Sequence, residues 1–196
     1  MSTEPNEFSA HRDLWRALSG GGDRTAADRK GRAALRRLNT MANGEEQQID
    51  LFTPLQVPAF AAYARRFDLK KPETSTEWER LHYVAVAACA IAWIDEDAQN
   101  EPLGRALGPP PGKEAQPRFA EVRFTRLLRC DTPERLLTEV RRMVRILDGR
   151  ANVYDLGQTL ASWGAPAGLR RRREWAFDYW AKRDDAPAAT SAIITA

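Results

Sequence analysis

Arginine is the side chain through which this sequence is equipped to do chemistry. In Arg123-Phe124-Thr125-Arg126-Leu127-Leu128-Arg129, helical spacing puts Arg123, Arg126 and Arg129 on one stripe and Phe124, Leu127 and Leu128 roughly opposite. The next segment repeats the arrangement. Leu136, Leu137, Val140, Met143, Val144 and Leu147 follow the spacing of a core-facing helix, and Arg135, Arg141, Arg142 and Arg145 lie away from that face. Guanidinium groups held side by side suit a phosphate backbone, because each can contact phosphate oxygens bidentately and none loses its charge near neutral pH. The plain alternative is a solvated helix face in an arginine-rich protein.

Other chemistries find little support. His11 and His82 sit in separate helical segments without a metal-ligand partner at i+3 or i+4, so both read as structural or exposed. Asp95-Glu96-Asp97 could be imagined as a nuclease metal site, but sequential acids do not share one helix face. No glycine-rich loop opens a helix after a strand, and no nucleophile elbow is present. Cys89 and Cys130 are too few for a disulfide framework or a zinc site. A binding protein without catalytic activity, cofactor or metal is the expectation.

The 196 residues carry a net charge of only +3, with 43% hydrophobic and 29% charged side chains, an ordinary globular balance. All but five of the 30 basic residues are arginines, and acids gather elsewhere, as in Glu45-Glu46 and Asp184-Asp185. Segregated charge on a near-neutral chain points to a local binding face rather than a histone-like coat. The first residues are polar and acidic, unlike a secretory signal, and the longest apolar run, Val84 to Ile94, is about half a bilayer span. A soluble cytoplasmic protein with no membrane contact is expected.

The elements that must position these arginines are helices almost throughout, and no strand-like alternation with hairpin turns stands out. Helices are predicted from Phe8 to Leu18, Thr25 to Asn39, Ala59 to Phe67, and Glu77 to Ile94 with Thr76 as N-cap. In the second of these, Ala34, Leu35 and Leu38 face inward while Arg29, Arg32 and Arg36 stack outward. After Pro109-Pro110-Pro111 the pattern predicts helices from Pro117 to Leu128, Pro133 to Leu147, Val153 to Trp163 and Leu169 to Ala181. The expected fold is all-α: two packed helical bundles, residues 1–107 and 117–183, joined by a Pro-rich linker at 108–116 and followed by a frayed tail at 184–196. Trp163, Trp175 and Tyr179 are expected to close the core of the second bundle rather than stack on bases, with Arg170 to Arg173 as its wet face.

The ordered motifs resemble those of the CasB family, the small subunit of the type I-E CRISPR Cascade surveillance complex. They are Leu14-Trp15-Arg16-Ala17-Leu18, the Gly31 to Arg37 segment, the apolar Val84 to Trp93 helix, Pro102 to Leu107, Glu121 to Leu128, Val140 to Val144, and Arg172 to Tyr179. Seven such segments in order are far more specific than any one arginine-rich helix. The resemblance implies a non-catalytic, all-helical, two-bundle protein packed as two copies, head to tail, along a guide-RNA-carrying complex. It implies contact with the other Cascade subunits, backbone and large, and a role in holding the displaced DNA strand and supporting the guide RNA–target DNA duplex. Carried over by motif, the nucleic-acid contacts fall to Arg36, Arg37, Arg123, Arg126, Arg141, Arg142 and Arg145, with Arg32 and Arg129 as second choices. In such machines base pairing reads sequence while protein supplies backbone contacts.

Two rivals remain open. A helical DNA-binding regulator would need Asn, Gln or Ser among the arginines of its recognition helix, and the Arg123 and Arg141 segments lack that mixture. A structural scaffold would instead pair these arginines with acidic faces of partner proteins.

Overall fold

Between Tyr83 and Ala92 every side chain is buried, so this stretch of helix has no polar face to offer water and the other elements pack around it. The computed structural model describes residues 7–19, 25–43, 46–69, 71–110 and 116–181. Among them, ten helices and four short strands follow in the order α1 (Glu7–Ser19), α2 (Ala26–Arg36), β1 (Thr40–Asn43), β2 (Glu46–Ile49), α3 (Phe52–Leu55), α4 (Pro58–Arg65) and α5 (Ser75–Trp93). After these come β3 (Glu96–Asp97), α6 (Leu103–Leu107), α7 (Glu121–Leu128), α8 (Pro133–Ile146), β4 (Arg150–Ala151), α9 (Val153–Ala161) and α10 (Pro166–Trp180). The fold is all-α, built of packed helical bundles. The central helix α5 packs against α1, α2, α4, α8 and α9, while α10 lies on α6 and α9. Helices from both sides of the prolines therefore feed one hydrophobic cluster. Of the 108–116 segment, residues 111–115 lie outside the described residues, as does the 184–196 tail.

Local chemistry sets the helix ends. Thr25 and Thr74 each form a capping box, accepting from the N3 backbone amide while Asp28 and Glu77 reach back to the cap. For α5 this moves the cap from Thr76, the sequence expectation, to Thr74. Both threonines have an acid three residues on, Glu77 and Glu79, and the chain uses the earlier pair, in which Glu77 accepts from the Glu73 and Thr74 amides. Helix α7 begins at Glu121 rather than Pro117. The preceding residues are held out of the helix, because the Phe119 amide donates to the Leu107 carbonyl and the Phe119 carbonyl accepts from the Tyr179 hydroxyl.

Strands are the second departure from expectation. An antiparallel pair joins β1 to β2, in register from Thr40 with Ile49 to Asn43 with Glu46, and β2 lies against α8. The signal in the sequence is a glycine, Gly44, first of the two residues between the paired Asn43 and Glu46, a position where glycine is favoured in two-residue hairpin connections. A parallel two-residue ladder, Glu96 with Arg150 and Asp97 with Ala151, ties the end of α5 to the end of α8. Gly149 stands between α8 and this ladder at φ 73°, a left-handed conformation that suits glycine. Gly104 serves a different need: a Cβ there would collide with the Trp175 carbonyl, so α6 can press on α10 only without a side chain.

Candidate nucleic-acid interface

Helix α8 is fixed at both its start and its apolar face. Thr132 caps it, Pro133 occupies the first turn, and Leu136, Leu137, Val140, Met143 and Val144 are buried. That burial aims Arg142 and Arg145 at solvent. Helix α7 is anchored the same way by Phe124 and Leu127, and the Phe124 ring stacks on Tyr179 of α10 at 4.0 Å between centroids. Arg123, Arg126 and Arg129 are consequently exposed. Between the two helices runs a groove of about 710 Å³, lined by Thr125, Arg126, Arg129, Arg135, Thr138 and Glu139 among others. Five of the arginines singled out by sequence thus stand on the outer surface of two adjoining helices.

The outward stacking expected for Arg29, Arg32 and Arg36 is corrected. Only Arg29 faces water; Arg32 is 7% exposed and Arg36 is half-buried. Helix α2 lies across the C-terminal end of α5, whose last carbonyls have no partner within the helix. Arg32 supplies the donors: Nε to the Ala92 carbonyl at 2.8 Å, and Nη2 to the Ile94 carbonyl at 2.9 Å and to Asp95 Oδ1 at 2.7 Å. Arg36 adds Nε to the Ala92 carbonyl at 2.8 Å, and its guanidinium sits 5.3 Å from the centre of the Trp93 ring. Arg37, one residue on, is exposed.

Arg141 is also less free than its spacing implies. It is half-buried on the flank of α8 that meets α5, beside the Cys89 thiol. Burial pushes that thiol up to about 11, with the Arg141 charge acting in the opposite direction. In the 170–173 run, Arg171 lies over the Tyr154 ring and Arg172 over Trp163, with Arg172 donating to the Leu128 and Trp163 carbonyls. Only Arg170 and Arg173 of that run are exposed, so the expected wet face is half structural. Trp163, Trp175 and Tyr179 are each buried in the core, as their apolar spacing predicts.

With this geometry in place, comparison with known families is decisive. The family described as CRISPR-associated protein Cse2 matches residues 31–180. The chain belongs to the Cse2 family. This family, also called CasB, is the type I-E Cascade small subunit, a structural component of that complex. The matched span contains α2 from Gly31 onward and all of α7, α8 and α10. No curated protein and no solved structure matches the chain.

In this Cse2-family chain the acidic run after α5 is a set of brackets. Asp95 pairs with Arg32 and Arg36, Glu96 with Arg150 at 2.8 Å, and Asp97 with Arg12 at 3.1 Å, so the three carboxylates turn to different partners. Among the described residues no group of histidine, cysteine and acidic side chains is arranged to hold a metal ion, and no helix is long and apolar enough to cross a membrane. Sequence reasoning missed Glu139. It is an acid on the buried side of α8, three residues before Arg142, and that misplaced polarity in an apolar row was the available signal.

Proposed function

We propose that this Cascade small subunit binds nucleic acid without catalysing its cleavage. In this role it stabilises the opened target by gripping phosphates of the displaced DNA strand and of the guide RNA–target DNA duplex. The observation that carries the proposal is the exposed arginine band of α7 and α8, made of Arg123, Arg126, Arg129, Arg142 and Arg145 on helices whose opposite faces are locked in the core. Arg36, Arg37 and Arg141 are proposed as further contacts, Arg37 being exposed and the other two half-buried. Guanidiniums presented by rigid helices lose less entropy per hydrogen bond to phosphate than lysines would, and they read charge and spacing rather than base identity. A second copy of the chain and the backbone and large subunits are the proposed protein partners, in a cytoplasmic ribonucleoprotein. The residue ranges 1–107 and 117–183 are proposed as its two structural units.

Fluorescence anisotropy with labelled single-stranded and duplex DNA of unrelated sequences tests this. Log affinity is expected to fall linearly with log salt, each neutralised phosphate adding about 0.7–0.9 to the slope. A flat salt response would favour a scaffold that acts through protein contacts alone, and strong preference for one duplex sequence would favour a regulator.

A further inference from the structure

A carboxylate is an unexpected neighbour for arginines that face phosphate, since its charge opposes the ligand. Glu139 is such a neighbour, and it is no surface acid: its side chain is 7% exposed, while those of Arg142 and Arg126 are 52% and 60% exposed. Its Oε1 accepts from Arg142 Nη1 at 2.8 Å and lies 4.0 Å from Arg126 Nη1. One oxygen therefore draws together two guanidiniums that come from different helices. Its other oxygen, Oε2, is buried and has no hydrogen-bond partner among the described residues. A buried acid with half its acceptors unused is costly, so what it holds in place has to justify it.

From this we infer that Glu139 is a positioning residue for the phosphate-binding site, an inference that rests on the function proposed above. Two free guanidiniums at short range repel and splay into solvent. A carboxylate beneath them, shielded from water and salt, offsets that repulsion and binds each cation by one edge. Only Nη1 of each guanidinium turns to Glu139, which leaves the remaining N–H groups uncommitted to it, those of Arg126 at the groove between α7 and α8 and those of Arg142 on the exposed side of α8. The pair then presents to phosphate as one preorganised fork, in the way that second-layer carboxylates hold metal-ligating side chains.

The sign of one substitution separates this from simple electrostatics. Glu139→Gln keeps the shape and removes the charge. If Glu139 acted only through its charge, the variant would bind a mixed-sequence single-stranded DNA more tightly. If it positions the arginines, binding weakens by roughly tenfold, the scale of one charge-assisted hydrogen bond. The same change in an Arg126→Ala/Arg142→Ala background is expected to have no further effect, because the residues it acts through are gone. Glu139→Asp, which keeps the charge but withdraws it by one methylene, is expected to weaken binding as well and serves if the Gln variant melts early. Equal or tighter binding by both variants overturns the inference, and so does equal weakening in both backgrounds. A parent chain that binds no nucleic acid overturns the proposed function and this inference together, whereas the variant outcomes bear on Glu139 alone.

Discussion

The Arg32 guanidinium meets the Asp95 carboxylate at 2.7 Å across the end of α5, and the same guanidinium serves the Ala92 and Ile94 carbonyls. An arginine placed by its spacing on a wet stripe is thus the cap of the central helix. Arg32→Ala removes three charge-assisted hydrogen bonds and a buried guanidinium from the end of α5, where Arg36 Nε and Trp15 Nε1 still serve the Ala92 and Ile94 carbonyls singly. The expected cost is about 2–4 kcal/mol, a fall in melting temperature of roughly 4–16 °C for a chain of this size. Arg37→Ala, at an exposed position, is expected to change stability by less than about 0.5 kcal/mol. Thermal melts of the two variants check this, and a parent-like melt for Arg32→Ala removes its capping role.

On α8, binding and stability are expected to separate by face. Arg145→Ala with Arg123→Ala on the neighbouring α7 removes two exposed charges and leaves the core and the Glu139–Arg142 pair untouched, so the melt should stay close to the parent while the salt slope of DNA binding shrinks by about one to two units. Leu137→Ala and Val144→Ala should do the reverse, costing about 1–4 kcal/mol through lost packing. Isotherms at two salt concentrations, set beside melting curves, decide the matter. An arginine double variant that binds like the parent would make the band a solvated face.

Both thiols are expected to be inert in the folded protein. Cys89 and Cys130 are buried, and burial raises each to about 11. At pH 8 the thiolate fraction is then small and the sulfur inaccessible, so a disulfide reagent such as Ellman's should react with neither until denaturant is added. Rapid reaction of a thiol in native buffer would contradict the packing described for α5 or for the Cys130 turn.

Acid should destabilise the fold through His11. Its ring is fully buried, with Nδ1 accepting from the Tyr63 hydroxyl at 2.7 Å and Nε2 donating to Gln158 Oε1 at 2.8 Å. Burial lowers it from 6.5 to about 4, so the folded state keeps the neutral ring while the unfolded chain takes up a proton below pH 6.5. Stability from this group is complete above pH 6.5, declines as pH falls towards 4, and declines no further below that. The total is about 3 kcal/mol. His82 is lowered in the same sense, again by burial. An NMR titration should find the His11 ring still neutral at pH 5.5, and protonation near pH 6.5 would show that the site is open to water.

What the sequence determined by itself was periodicity and therefore faces. The rows Leu136 to Leu147 and Phe124 to Leu128 required buried sides, so Arg123, Arg126, Arg142 and Arg145 had to point outward on α7 and α8. Apolar spacing likewise put Trp163, Trp175 and Tyr179 in the core. Capping chemistry was legible to within two residues, since a threonine with an acid at the third position satisfies two backbone donors locally. Tertiary structure alone decided which arginines stay free. Arginine stems are long enough to bend onto a neighbour, so a position on the polar side of one helix says nothing about whether another helix presents unpartnered carbonyls there. The end of α5 claims Arg32 and half of Arg36, the flank of α5 claims Arg141, and the Leu128 and Trp163 carbonyls claim Arg172. Glu139 was hidden for the same reason: its partners Arg126 and Arg142 meet only because α7 and α8 pack side by side, a long-range contact that no local pattern encodes.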